Sequence, residues 1–251
     1  MKYPFFLNVS LVVLLGFTAC TLSVRAAEPA TNAMAAPMDA VEKSDSDQEK
    51  KAAEWVAALK LTDAAKEKRV TEVIATHLKA IRDWHNDHSY TNVPPGIDPA
   101  VGRNLSVLDR QVLMDSALPR TVHQDLMAGL RKDLSEDQVE IILDKYTVGK
   151  VAFTMGGYKS IVPDLTADEE KAILVFLKQA REQAVDFKNI KEISAIFEIY
   201  KTKCEQYLNS NGRNWHSLYK AYTDMIKAKK AAATVQPAKS LPDTNSVPMA
   251  Q

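Results

Sequence analysis

Residues 146–166 read YTVGKVAFTMGGYKSIVPDLT, and they interrupt a chain that is otherwise helical in pattern. Gly149, Gly156 and Gly157 lie within this stretch, although the whole chain has only eight glycines. Glycine adopts backbone conformations that other residues avoid, and it destabilises the interior of a helix. The stretch is therefore predicted to be one long loop, and long loops inside a domain are often functional.

Helix signals surround this predicted loop on both sides. Ser135–Gln138 and Thr166–Glu169 are capping boxes, each followed by apolar residues at helical spacing. Further upstream, Thr62–Asp63, Ser106 and Pro119 are typical of helix starts. No segment alternates polar and apolar residues as a half-buried strand does. The predicted fold is all-α: a single helical bundle of about six to eight helices with one long glycine-containing loop.

The composition changes at both ends of the helical region. Residues 1–26 combine a positive start, an apolar run too short for a membrane span and small residues before Ala27, which is the pattern of a signal peptide. Cys20 offers the alternative of lipoprotein cleavage and a lipid anchor. Residues 27–46 and 230–251 are predicted to be disordered, and 47–229 to be the helical domain. The protein is expected to be periplasmic or secreted, with a membrane lipoprotein as the alternative.

Charge and cysteine content limit the classes of function and of stabilisation. The chain carries 32 basic and 32 acidic residues. Without residues 1–26 it keeps 30 basic and 32 acidic residues, a net charge of −2. Nucleic acid is therefore not expected as a partner. If cleavage follows Ala26, only Cys204 remains, so no disulfide can form within the chain and this thiol is interpreted as a buried apolar group.

The predicted loop supplies the first candidate ligand-binding residues. Lys150, Thr154 and Tyr158 offer polar groups, while Gly156 and Gly157 let the backbone approach a ligand closely. The alternative is that the apolar residues of the stretch simply hold a connection against the bundle.

Four further candidates lie outside that stretch. Arg181 and Glu182 follow it on the next predicted helix, where Glu182 and Asp186 are four residues apart and could share a proton or a sugar hydroxyl. Trp84 and Trp215 offer flat faces on which a sugar ring could stack. The alternatives are a solvated charged face for the helix and core positions for the tryptophans.

The histidines suggest a metal site without defining one. His85 and His88 are three residues apart on one side of a helical turn, with His77 two turns upstream. A zinc site needs at least three convincing protein ligands, and the spacing matches no known metalloenzyme motif. A polar helix end is the preferred interpretation, and His123 is interpreted as structural. No metal, cofactor or catalytic residue is therefore assigned.

Several segments in order resemble a known family: Tyr146–Lys150, Gly156–Tyr158, Ile161–Thr166, Ala180–Ala184 and Phe197–Lys201. The family comprises secreted bacterial proteins classed as a domain of unknown function, described as sugar-binding and associated with polysaccharide utilisation. The resemblance covers about residues 50–228. It implies a helical exported protein and favours association with glycans, but it carries no activity that can be transferred residue by residue.

The expected function is an exported, carbohydrate-associated binding or accessory protein of a glycan-utilisation system, with its ligand site at residues 146–166. The first alternative is a periplasmic helical chaperone or stress protein. The second is a glycan-active enzyme that uses Glu182, Asp186 or Lys150. A carbohydrate is the expected ligand, Cys20 is the alternative lipid attachment point, and the sequence leaves the oligomeric state open.

Overall fold

The computed structural model describes residues 36–99 and 102–235. These residues contain nine α-helices: α1 (Ala36–Ala57), α2 (Ala64–Asp87), α3 (Val107–Asp115), α4 (Arg120–Asp133), α5 (Glu136–Tyr146), α6 (Lys150–Ile161), α7 (Ala167–Ala184), α8 (Ile190–Ser210) and α9 (Trp215–Val235). Between α2 and α3 lie a short 3-10 helix (Tyr90–Asn92) and an antiparallel pair of two-residue strands, β1 (Ile97–Asp98) and β2 (Arg103–Asn104). The predicted all-α fold is confirmed, with more helices than the six to eight expected.

A helix begins at each predicted start, and side-chain hydrogen bonds cap all of them except the start at Pro119. Asp63 accepts from the backbone amides of Ala65 and Lys66. Ser135 and Thr166 each complete the predicted capping box. A side chain that accepts from these otherwise unpaired amides stabilises a helix start by about 1 kcal/mol. Local sequence therefore determines where these helices begin.

The predicted long loop at 146–166 is wrong, because Lys150–Ile161 forms α6. The break between α5 and α6 is confined to a short turn, in which Gly149 has a φ of +64° and its amide donates to the Asp144 carbonyl oxygen at 2.9 Å. Glycine suits this left-handed conformation. It is here, and not across the whole stretch, that backbone freedom is required.

Packing explains why α6 forms in spite of its two adjacent glycines. Val151, Met155 and Tyr158 are buried at helical spacing. Gly156 and Gly157 are exposed on the helix surface, where each costs about 1 kcal/mol relative to alanine. Most helical stability in proteins comes from burial of an apolar face, and here that burial outweighs the glycines.

Both predicted disordered ends contain helix. α1 begins at Ala36, inside the predicted linker 27–46, and α9 continues to Val235, inside the predicted tail 230–251. In α1, Asp45 forms ion pairs with Lys79 and Arg82 of α2, which hold the polar segment in place. Alanines 231–233 favour continuation of α9.

The predicted signal peptide, Cys20, and the remaining parts of the linker and tail lie outside the described residues. Residues 36–40 belong to a separate N-terminal unit of the chain, and the second unit begins at Val41. The contacts reported below lie within that second unit. None of the described helices is sufficiently long and apolar to cross a membrane.

The core of this unit consists of two clusters of buried side chains. The first involves α1, α2, α4 and α5, with Ile74 and Leu130 fully buried. The second involves mainly α6 to α9, with Leu177 and Phe197 among its most buried residues. α7 packs extensively on α8, and α2 packs on α4.

Gly129 allows α4 to lie close against α2. A Cβ atom at residue 129 would lie 2.7 Å from both Cγ atoms of Val73. The pair Arg69 and Asp133, whose Nη2 and Oδ1 atoms are 2.6 Å apart, joins the same two helices further along, so the helices run antiparallel. This arrangement brings His77 of α2 near the first turn of α4.

Candidate functional site

The five candidates predicted in residues 146–166 lie on different sides of α6. Thr154 and Tyr158 are buried, and Lys150 is half-buried at the first position of the helix. Gly156 and Gly157 are exposed, and a Cβ added at either would meet nothing within 4 Å. The helix therefore separates the polar side chains from the glycines.

Tyr158 and Trp215 pack on each other in the core. Their ring centroids are 5.2 Å apart, and the Tyr158 hydroxyl donates to the carbonyl oxygen of Lys201 at 3.2 Å. Burial raises the pKa of Tyr158. Since both side chains are buried, neither presents an open ring face to solvent.

Trp84 and Arg181 also make internal contacts. The Trp84 ring stacks on His88 with centroids 3.7 Å apart. Arg181 is buried and forms ion pairs with Asp144 at 2.7 Å and Glu140 at 2.6 Å, which joins α5 to α7. Arg181 is therefore engaged in holding two helices together.

Glu182 is the one predicted ligand-binding residue that lines the cleft described next. The cleft, hereafter the α4–α7 cleft, has a volume of about 470 Å³ and lies between the last residues of α3, the first turns of α4 and the end of α7. Its charged lining residues are Arg120, His123, Glu182 and Asp186, with Asp115 at the end of α3. α7 ends at Ala184, so Asp186 lies in the turn that follows it, not on the helix as predicted.

Neutral groups complete the α4–α7 cleft. Three amide side chains line it: Gln124, Gln179 and Gln183. Phe187 and Tyr200 add aromatic surface. The cleft thus combines amides that donate and accept hydrogen bonds with apolar ring faces.

A hydrogen-bonded network connects the core to the cleft through Asp186. The Tyr146 hydroxyl lies 3.1 Å from His77 Nδ1, and His77 Nε2 lies 3.1 Å from Asp186 Oδ1. On the other side, His123 Nδ1 lies 3.0 Å from Asp186 Oδ2. His123 Nε2 is 3.8 Å from Glu182 Oε1. One carboxylate is thus shared by two imidazoles, and His123 and Glu182 both line the cleft.

The electrostatics of this network favour an ionised Asp186 and a protonated His123. Burial would raise the pKa of Asp186, but the hydrogen bonds with His123 and His77 lower it below its ordinary value. The hydrogen bond with Asp186 raises the pKa of His123 against the opposing effect of burial. Burial and the Asp186 charge raise the pKa of Tyr146, so its hydroxyl stays protonated. Tyr146 can then donate to His77 Nδ1 while His77 donates to Asp186.

A second histidine cluster adjoins the cleft at Asp115. His85 Nδ1 lies 2.7 Å from Asp115 Oδ2 and 3.5 Å from Glu192 Oε1. One ligand atom from each of the three side chains can be chosen so that all lie within 4.8 Å of one another, and no other such group of three or more is found in the described residues. Burial raises the pKa of Glu192, with His85 opposing and Asp115 adding to the effect.

The metal site at His85 and His88, which the sequence analysis considered but did not prefer, does not form from this pair. His88 Nδ1 lies 2.8 Å from the carbonyl oxygen of Trp84, and its ring stacks on Trp84. His85 meets carboxylates of α3 and α8 instead. The residues that could hold a metal are therefore His85, Asp115 and Glu192.

Two polar patterns in the sequence correspond to the walls of the cleft. Arg120, His123 and Gln124 have the i, i+3, i+4 spacing of one helix face, and Gln179, Glu182 and Gln183 repeat it on α7. Polar stripes of this kind usually face solvent, and only the tertiary arrangement shows that these two face each other.

These features define a helical domain with a polar cleft between α4 and α7. Residues 45–228 match the family described as protein of unknown function (DUF3826), and the chain belongs to that family. The predicted membership of a domain-of-unknown-function family is thereby confirmed. No match is found among curated proteins.

Proposed function

We propose that this is an exported carbohydrate-binding or accessory protein of a glycan-utilisation system, and that its ligand site is the α4–α7 cleft. The observation that carries the proposal is the convergence of three glutamine side chains and Glu182 on one open cleft with aromatic surface. The cleft volume of about 470 Å³ falls within the range of about 300 to 1,000 Å³ that is usual for small-molecule sites.

The chemistry of the lining matches a neutral, polyhydroxylated ligand. A sugar hydroxyl both donates and accepts hydrogen bonds, as does an amide side chain. Tyr200, which is half-buried at the edge of the cleft, offers a ring for the carbon–hydrogen face of a sugar, and the buried Phe187 adds apolar lining beneath it. Arg120 and His123 face Glu182 and Asp186, and Asp115 is paired with His85, so the cleft does not favour a strongly charged ligand.

Export is the second part of the proposal, and it rests on the signal-peptide pattern of residues 1–26. The family resemblance adds the expectation of polysaccharide utilisation. An exported sugar-binding protein would meet its ligand outside the cytoplasm, where polysaccharide fragments arise.

Calorimetry with plant-polysaccharide oligosaccharides, chosen from a glycan array, tests the site. We expect the double variant Gln179→Ala/Gln183→Ala to bind about 5- to 150-fold more weakly, since each lost hydrogen bond contributes about 0.5 to 1.5 kcal/mol. The matched control is Gly157→Ala on α6, whose added Cβ meets nothing within 4 Å and which should leave affinity unchanged. Lack of binding across the array, or a loss confined to Gly157→Ala, would contradict the proposal.

The second candidate function is a glycan-active enzyme, and the His123–Asp186 pair favours it. An imidazole oriented by a carboxylate and exposed to a cleft is suited to general acid–base catalysis. Glu182 Oε1, 3.8 Å from His123 Nε2, adds a second proton-transfer group. Product release from the same oligosaccharides, lost in His123→Gln and in Glu182→Gln, is the result that would distinguish an enzyme from a binding protein.

The chaperone alternative stays a prediction, and an aggregation assay distinguishes it from the carbohydrate-binding protein and from the glycan-active enzyme. Protection of a denatured client protein without any oligosaccharide affinity would favour the chaperone.

A further inference from the structure

Three helices bring together His85, Asp115 and Glu192 beside the α4–α7 cleft. His85 lies in the last turn of α2, Asp115 is the last residue of α3, and Glu192 lies in the first turn of α8. Asp115 is 3% exposed and Glu192 is 1% exposed. Two acidic side chains of this degree of burial normally require a partner of opposite charge.

The charges of the cluster are not balanced by protein groups. In residues 36–99 and 102–235, no lysine or arginine forms an ion pair with Asp115 or Glu192. Even a protonated His85 provides one positive charge for two carboxylates. An uncompensated buried charge is strongly destabilising, so a bound cation would stabilise the cluster.

One oxygen of Glu192 lacks a partner. Glu192 Oε1 accepts from Asn189 Nδ2 at 2.6 Å and faces His85 at 3.5 Å. Its Oε2 atom is buried and has no hydrogen-bond partner among the described residues. Buried carboxylate oxygens are nearly always satisfied, and a metal ion is one group that satisfies them.

The carboxylates are also held in place by neighbouring amides. Gln111 Nε2 donates to Asp115 Oδ1 at 2.9 Å, and it is itself fixed by the His88 carbonyl oxygen at 3.1 Å. Asn189 holds Glu192 in the same way. Hydrogen bonds of this kind orient metal ligands and raise metal affinity.

The distances are compatible with a small ion. Zinc binds imidazole nitrogen and carboxylate oxygen at about 2.0 to 2.2 Å, which places tetrahedral ligand atoms about 3.4 Å apart. The 3.5 Å between His85 Nδ1 and Glu192 Oε1 meets this requirement. The 2.7 Å between His85 Nδ1 and Asp115 Oδ2 is a hydrogen bond, so it must lengthen by about 0.7 Å as the metal replaces the proton. The three ligand atoms lie within 4.8 Å of one another. Imidazole suits zinc and other first-row ions, whereas magnesium and calcium prefer oxygen ligands.

We propose that His85, Asp115 and Glu192 bind one divalent first-row transition-metal ion, such as Zn²⁺ or Mn²⁺. The metal neutralises the buried carboxylates and, bound by both oxygens of Glu192, also provides a partner for Oε2. The remaining coordination positions are available to water or to a group that enters from the cleft side of Asp115. This site does not depend on the ligand of the cleft being a sugar.

The test uses the untagged full chain after removal of metal by a chelator. We expect isothermal titration with Zn²⁺ or Mn²⁺ alone to give one ion per chain, and the melting temperature to rise by ~5 °C at a hundredfold excess over Kd. Mg²⁺ should have a much smaller effect. Glu192→Gln keeps the shape of the side chain and should weaken binding by more than about 100-fold, as should Asp115→Asn.

His88→Gln is the matched control, because it changes the histidine at the C-cap of α2, whose side chain stacks on Trp84, and keeps the backbone carbonyl that accepts from Gln111. It should bind metal as the wild type does. Circular dichroism shows whether each variant is folded, and if Glu192→Gln is not, Asp115→Asn supplies the same comparison. The proposal is overturned if the wild-type chain binds neither Zn²⁺ nor Mn²⁺, or if the His88 and carboxylate variants lose affinity equally.

Discussion

Two histidine–carboxylate clusters start from the same helix and differ in their ratio of imidazoles to carboxylates. The His77–Asp186–His123 cluster has two imidazoles for one carboxylate; both imidazoles are hydrogen-bonded to Oδ1 of Asp186, and Oδ2 lies 3.0 Å from His123 Nδ1. The His85–Asp115–Glu192 cluster has one imidazole for two carboxylates, and it leaves one buried oxygen without a partner. The same residue types thus form a closed proton-sharing network in one place and a site with a deficit of positive charge in the other.

The largest predicted loss of stability follows removal of His77, the buried imidazole of the His77–Asp186–His123 cluster. In His77→Leu, the Tyr146 hydroxyl loses its hydrogen-bond partner and Asp186 keeps only His123. We expect a loss of about 3 kcal/mol in the free energy of unfolding, because buried polar groups are left unpaired. Urea unfolding at neutral pH measures it, and a loss below about 1 kcal/mol would show that the network adds little to stability.

The next largest effect concerns the hydrogen bonds around the proposed metal ligands. Gln111→Met has a similar volume but no longer donates to Asp115. Metal affinity is expected to fall by about 10 to 100-fold, the range found when such orienting groups are removed. Titration with Zn²⁺ measures this, with His88→Gln as the reference. Unchanged affinity would mean that Asp115 does not need Gln111 to be positioned.

The contribution of the His77–Asp186–His123 cluster to stability should depend on pH, with a smaller magnitude than the effects above. Hydrogen bonding to Asp186 raises the pKa of His123 above its ordinary 6.5, so protonated His123 stabilises the fold below pH 6.5 and this stabilisation is lost as the pH rises through the raised pKa. The pKa of Asp186 is lowered, so its contribution is present above pH 3.8 and is lost as the pH falls through the lowered pKa. The network therefore contributes most between these limits.

Comparison of the wild type with His123→Gln tests this dependence. The groups that face His123 are Asp186 and Glu182, with His77 behind Asp186 and Arg120 on the same helix. The stability difference should be on the order of 1 kcal/mol larger at pH 5 than at pH 9. Urea unfolding at the two values measures it, and a difference that grows with pH would have the wrong sign.

The smallest predicted effect is an increase in stability, in the variant Glu192→Gln. Without metal, Glu192→Gln removes one uncompensated buried charge and can still accept from Asn189. The free energy of unfolding should increase by about 1 kcal/mol, in contrast to the loss in His77→Leu. Thermal unfolding in chelator measures the change. A clear destabilisation would place Glu192 among the satisfied polar groups of the core.

The sequence predicted the features that depend on near neighbours. Ser135 and Gln138 lie within one helical turn, so their capping chemistry is visible in the sequence and was confirmed. α6 was missed because the cost of Gly156 and Gly157 is local, whereas the burial that outweighs it depends on α7 and α9. Glycine content therefore indicated a loop where packing forms a helix.

The clusters were missed for a related reason. His85 was compared with His88, three residues away, but its partners Asp115 and Glu192 come from α3 and α8. His123 was interpreted as structural because nothing nearby in sequence pairs with it, whereas Asp186 reaches it from the turn after α7. Glu182 and Asp186 were singled out from their four-residue spacing, and both do line the cleft.

Gly129 does not line the α4–α7 cleft, but it sets the separation of the two helices whose histidines contact Asp186. α2 carries His77 and α4 carries His123, and Asp186 contacts both. A methyl group at residue 129 would overlap Val73 and act as a wedge between these helices. The absence of a side chain at Gly129 thus permits the close helix spacing at which His77 and His123 both reach Asp186.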